Sequence, residues 1–183
     1  MMNYNEYGGN VPYNNYGYTN PYISAMNASM MLGGQQTDDI FTFPQNLPNA
    51  LSLIQQALSG ETEDRMFYTW LIDNAPSEED KQIISGIRDN EIGHYDLFKQ
   101  LSSNITGSVP QQLPGEQFVP PESYCAGLSR ALLGEQNAVA KYRKILYAMQ
   151  FREDINMMIE IITDELRHGI LYNYLYTKNG CKG

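Results

Sequence analysis

The chain has only two cysteines and two histidines among its 183 residues, and each scarcity narrows its chemistry. Cys125 and Cys181 form no C-x-x-C pair, which argues against a zinc ribbon or a disulfide framework and points to a reducing, cytoplasmic compartment. Basic residues are few: 12 Lys and Arg stand against 21 Asp and Glu, for a formal net charge of -9. Nucleic acid is therefore not an expected partner, because phosphate binding needs clustered cationic side chains. No apolar run reaches about 18 residues, so no membrane-spanning helix is expected. The opening MMNYNEYGGN has neither a basic start nor an apolar stretch, so no secretory signal is expected. Alternating apolar–polar runs of useful length are also missing, which leaves an all-α class.

What is present is unevenly divided. Residues 1–45 form a Tyr/Asn/Gly-rich tail, with six of the fourteen tyrosines in the first 22 residues. Its aliphatic content is too low to bury a core, so it reads as flexible or draped on the surface. The sharper reading is a Tyr-rich interaction or cross-linking segment, and Ile23–Leu32 has the composition to form a short helix or dock on the body. A helical body spans residues 46–178, with a short tail at 179–183. Helix 1 is expected from Pro48 to Asn74, with Pro76 in the turn after it. Ser77, followed by Asp80, reads as the N-cap of helix 2, which runs to about Leu101. A Pro- and Gly-rich loop long enough to cross the body precedes helix 3, at about Glu122–Met149. A turn near Phe151–Asp154 opens helix 4, which stops before Asn179-Gly180. The expected fold is an antiparallel four-helix bundle of two hairpins joined by a long crossover.

A shift of 74 residues superposes the two hairpins: Ala57-Leu58 on Ala131-Leu132, Gly60-Glu61 on Gly134-Glu135, Tyr68 on Tyr142, Glu91 on Glu165, and His94 on His168. In an antiparallel pair, residues equidistant from the turn share a level. Glu61 and Glu91 are 30 residues apart with midpoint Pro76, and Glu135 and Glu165 are 30 apart with midpoint Gln150. Both midpoints fall at or beside turns placed on other grounds.

Facing agrees with level. Helix 2 carries Ile84, Ile87, Glu91, His94, Phe98 and Leu101 at heptad spacing, and helix 4 carries Met158, Ile161, Glu165, His168, Tyr172 and Leu175. Helix 3 places Glu135 between Ala131 and Ala138, and helix 1 places Glu61 between Ala57 and Asp64. Four glutamates and two histidines thus interrupt apolar seams at one height. Burying four unpaired carboxylates would cost several kcal/mol each. Two divalent cations would neutralise them, and a Glu from each of two helices plus Glu-x-x-His from the other two is a known di-iron or di-manganese arrangement. The metal ligands read from these residues are Glu61, Glu91, His94, Glu135, Glu165 and His168.

The runs GETEDRMFY, GEQNAVAKY and DELRH resemble the first, third and fourth helices of rubrerythrin-type ferritin-like proteins, over about residues 47–177. The resemblance implies the same six ligands and a site that reacts with dioxygen or peroxide. It also implies supporting roles: Tyr68 and Tyr142 as hydrogen-bond donors to ligating carboxylates, Asp164 as acceptor for a ligand histidine. In the first repeat Asn90 replaces that aspartate, and its amide oxygen is still able to accept. An extra glutamate of rubrerythrins falls at Ala138 here, and Asp64, at the symmetric position, reads first as a rim residue, then as an added ligand or proton relay. The rubredoxin module with its two C-x-x-C pairs is absent, so an external electron donor is implied.

The ligands suit iron first and manganese second, with zinc allowed by the donors alone. The expected function is a peroxidase or ferroxidase acting on H2O2 or O2. Alternatives are a di-manganese catalase and, from another class, a ferritin-like structural module displaying its Tyr-rich tail. The family analogy implies a homodimer. Cys125 is expected as a small core residue and Cys181 as a free, exposed thiol.

Overall fold

The computed structural model of the protein describes residues 20–31, 40–110 and 117–182, excluding the side chains of residues 29–31, Glu61 and Thr62. Six helices and no strand occur among the described residues: α1 (Pro21–Met31), α2 (Leu47–Ser59), α3 (Glu61–Asn74), α4 (Glu78–Thr106), α5 (Tyr124–Leu146) and α6 (Arg152–Lys178). None of them is long and apolar enough to cross a membrane.

The turns fall where the midpoints placed them. Ser77 accepts the Asp80 backbone N–H at 3.2 Å and starts α4 beside Pro76, and Ser123 does the same for α5 by accepting from Ala126 at 3.1 Å. Two boundaries differ from expectation. Helix 1 is divided at Gly60, which keeps helical angles (φ -81°, ψ -12°) between α2 and α3. A Cβ at position 60 would lie 3.2 Å from the Asp64 carboxyl, so a larger residue there would crowd that side chain. Helix α4 continues past Leu101 until Gly107, at φ 72°, adopts the left-handed conformation that closes it.

Helices α2 and α3 pack on α4 and α5, and α6 packs on α5 and α4. The buried apolar side chains form two clusters. One gathers Ile54, Leu58, Phe98, Leu101, Met158 and Ile161, and the other Tyr68, Leu71, Ile84, Ile87, Leu128 and Tyr172. On α4 and α6, Glu91, His94, Glu165 and His168 stand between the residues of the two clusters.

The 74-residue repeat extends to two buried aspartates at opposite ends of the body. Asp154 accepts from Tyr22 Oη at 2.7 Å and Asn104 Nδ2 at 2.8 Å. Asp80, its counterpart, accepts from Asn179 Nδ2 at 2.7 Å and Tyr124 Oη at 3.3 Å, and pairs with Lys178. Tyr22 is fully buried and also accepts the Gln150 backbone N–H at 2.8 Å. Packing therefore begins well before residue 46: α1 docks on α2 and α4. The rest of the Tyr-rich segment, residues 1–19 and 32–39, lies outside the described residues.

One expectation is overturned. Cys125 and Cys181 are joined in a disulfide with Cα atoms 5.5 Å apart, so neither is a free thiol. The reason is the hairpin itself. Cys125 lies in the first turn of α5 and Cys181 just past the end of α6, and antiparallel packing brings those ends together. The pair also removes the support that unpaired cysteines lent to a reducing compartment.

Candidate metal centre

Helices α4 and α6 present their Glu-x-x-His pairs to each other. His94 Nδ1 lies 3.2 Å from Glu165 Oε1 and 3.4 Å from Glu91 Oε2. His168 Nδ1 lies 2.9 Å from Glu91 Oε1 and 3.7 Å from Glu135 Oε2. Glu91 thus reaches both imidazoles, one through each oxygen, and the two rings stack with centroids 5.8 Å apart. Donor atoms of Glu91, Glu135, Glu165 and His168 all lie within 4.8 Å of one another. Glu135, Glu165, His94 and His168 are buried. Glu61 begins α3, but its side chain lies outside the described residues.

These contacts are close yet poorly aligned. Glu91 Oε1, His94 Nδ1, Glu165 Oε1 and both nitrogens of His168 are buried with no hydrogen-bond partner among the described residues. Buried polar atoms are seldom left so. Imidazole Nδ1 atoms aimed, together with carboxylate oxygens, at one small volume are what a bound cation would satisfy. The residues present fit a metal.

Electrostatics describe the same frustration. Burial, and behind it the Glu91 charge, raises Glu165 well above the usual carboxylate range, although His94 beside it pulls the other way. Burial likewise raises Glu135, with Glu91 adding to it and a hydrogen bond with Glu165 opposing it. Burial would also raise Glu91, but the two imidazoles outweigh it and hold its carboxyl low. Burial would lower His94, yet the facing Glu165 and Glu91 raise it to about 10. Without a cation, protons and imidazolium charge must do the neutralising.

Around the Glu/His cluster, Asp164 Oδ2 lies 3.2 Å from His94 Nε2, while its Oδ1 accepts from Arg167 Nη2 at 2.7 Å. The aspartate thus engages Nε2 and leaves Nδ1 as the nitrogen turned toward Glu91 and Glu165. Its counterpart differs from expectation: Asn90 Oδ1 accepts from Arg167 Nη2 at 3.0 Å, and His168 Nε2 has no partner among the described residues. Tyr68 and Tyr142 both border the cluster. Burial foremost, then the charge of Glu91 on Tyr68 and of Glu165 on Tyr142, holds each hydroxyl firmly protonated.

Two residues around the cluster are not marked as site residues by the sequence, although Tyr172 falls on the inward seam. Tyr172 is fully buried four residues after His168, at a seam position where the other hairpin has Phe98, and burial, then the Glu135 charge, keeps its hydroxyl protonated. Arg167 ties the second hairpin's Asp164 to the first hairpin's Asn90. An outward arginine beside a buried histidine gives no sequence signal for that tie.

A cavity of about 50 Å³ opens on this layer, lined by Asp64, Tyr68, Glu91, His94, Phe98 and Tyr142 among others, with Arg65 and Arg88 also in its wall. Asp64 is exposed to solvent on one side, yet the protein packed on its other side, then the Glu91 and Glu63 charges, push its carboxyl up.

The chain is similar to the uncharacterized protein YhjR of Bacillus subtilis (strain 168), 27% identical over 127 residues that cover 69% of this chain and 86% of that protein. That protein's name carries no activity. No protein-family profile matches the chain, and no solved structure matches it.

Proposed function

We propose that this protein is a rubrerythrin-type, ferritin-like four-helix bundle that holds two metal ions, iron in first place, and reduces peroxide or dioxygen. The observation that carries this reading is the convergence of unpartnered Nδ1 and carboxylate oxygen atoms in one buried layer. His168 and Glu135 would hold one ion and His94 the other, the second with Glu61 implied by the repeat. Glu91, which touches both imidazoles, would serve both ions together with Glu165. Bound iron would supply the electrons that an O–O bond accepts, as an external donor restores them.

The protein's own residues set the conditions. Asp164 orients the His94 ring and fixes its tautomer through Nε2. The cavity is far below the ~300 Å³ of pockets for organic ligands, yet about 10–15 Å³ suffices for a water-sized molecule, so it admits peroxide, dioxygen or water. Tyr68 and Tyr142, kept protonated, offer O–H groups to the carboxylates or to a guest at the layer's edge.

The test compares wild type with Glu165→Ala after loading with Fe(II). Wild type should consume H2O2, and the variant should lose both bound iron and peroxide consumption while keeping its helical circular dichroism. Equal consumption by the two proteins would overturn the proposal.

A further inference from the structure

We propose that Cys125 and Cys181 are a redox-active pair that delivers two electrons for peroxide reduction at the Glu/His layer, with a dithiol, small or protein-borne, restoring the thiols. This rests on the peroxide-reducing reading above and answers the question that reading leaves, the source of electrons.

Three observations converge. First, the pair is placed for exchange. Cys125 sits in the first turn of α5, the helix that also carries Glu135, and is already bonded to Cys181. Cys181 follows α6 and keeps partial contact with solvent, within reach of an external thiol. Second, Cys181 packs against the same apolar cluster that contains Tyr68 and Tyr172, the two tyrosines beside the ligand layer. Third, aromatic side chains subdivide the gap. Ten residues of α5 separate Cys125 from Glu135, a rise of about 15 Å. Tyr124, adjacent to Cys125, hydrogen-bonds Asp80 and packs on the cluster that holds Tyr68 and Tyr172, and Tyr172 lies one helical turn beyond His168.

The step balances. The O–O bond of H2O2 breaks and two S–H bonds are lost. One S–S bond forms, and the two thiol protons and two electrons complete two waters. The external dithiol then reduces the disulfide and is itself oxidised.

The experiment uses the full chain, reduced with a dithiol, freed of it, checked for unchanged helicity, loaded with Fe(II) and held under argon. H2O2 is added in excess over the bound iron. Free thiols are counted by alkylation and mass spectrometry while peroxide is followed in parallel. Wild type should go from two free thiols to none as peroxide disappears. Metal-free wild type and Glu165→Ala should retain their thiols over the same interval. Peroxide consumption with both thiols intact overturns the role of the pair and leaves the metal reading standing, as does equally fast thiol loss in the metal-free protein when the loaded protein is active. Failure of the loaded protein to consume peroxide or thiols overturns both.

Discussion

Replacing Glu135 by Gln should make the metal-free protein more stable and the metal-loaded protein less so. In the folded, metal-free chain, burial and the Glu91 charge push the Glu135 carboxyl from 4.5 up to about 8, against an opposing hydrogen bond with Glu165. An acid with a raised folded pKa costs nothing below its unfolded value and loses stability as pH rises toward the folded one. At pH 7 that interval is about 2.5 units, and at ~1.4 kcal/mol per unit the penalty is roughly 3 kcal/mol. This is a ceiling, because Glu135 shares its hydrogen bond with Glu165. Glutamine keeps the shape without the charge, so thermal unfolding of the chelator-treated variant should occur up to about 6–12 °C higher at pH 7. The difference should shrink toward pH 4.5, where glutamate in the unfolded chain is itself half protonated. Adding Fe(II) or Mn(II) should reverse the order, raising the wild type and leaving the variant nearly unchanged. A metal-free variant no more stable than wild type at pH 7 would show that the layer is a satisfied polar network, and the reasoning would fall.

Other outcomes follow from single contacts. Asp164→Ala removes the partner of His94 Nε2 and should weaken metal binding by about 10–100-fold with little loss of helicity, as measured by competitive titration. Tyr22→Phe removes a donor to the buried Asp154 and an acceptor of the Gln150 N–H, and should lower denaturant stability by about 2–4 kcal/mol. Burial alone would raise Asp80, but Lys178, Ser77 and Asn179 outweigh it and lower its pKa. The stability it contributes is present above its unfolded pKa and lost as pH falls through the folded one. Denaturant midpoints of wild type should therefore drop in that acid range, whereas those of Asp80→Asn should drop less.

Much of this was legible in the sequence because hairpin geometry is arithmetic. A turn at Pro76 and another near Gln150 fix which residues share a level, and heptad spacing fixes which of them face inward. Glu91, Glu135, Glu165 and both histidines meet for those reasons. What was missed involves contacts that no periodicity encodes. The division at Gly60 occurs at a residue whose angles stay helical, so seam spacing gives no sign of it. The Cys125–Cys181 pairing follows from the same antiparallel packing, but two cysteines at helix ends carry no periodicity that marks them as a pair. Tyr22 lies in a segment whose composition argued against packing, and one buried hydroxyl bonded to Asp154 anchors α1 all the same. Asn90 accepts from Arg167 and not from His168, a pairing that only the folded geometry decides.

The central claim is that the Glu/His layer is a metal site, and elemental analysis of the purified protein tests it most directly. About two iron or manganese ions per chain are expected, falling to near zero in Glu165→Ala, since four carboxylates call for two divalent cations. A wild-type protein that stays metal-free after exposure to both metals, with its thermal stability unmoved, would contradict it.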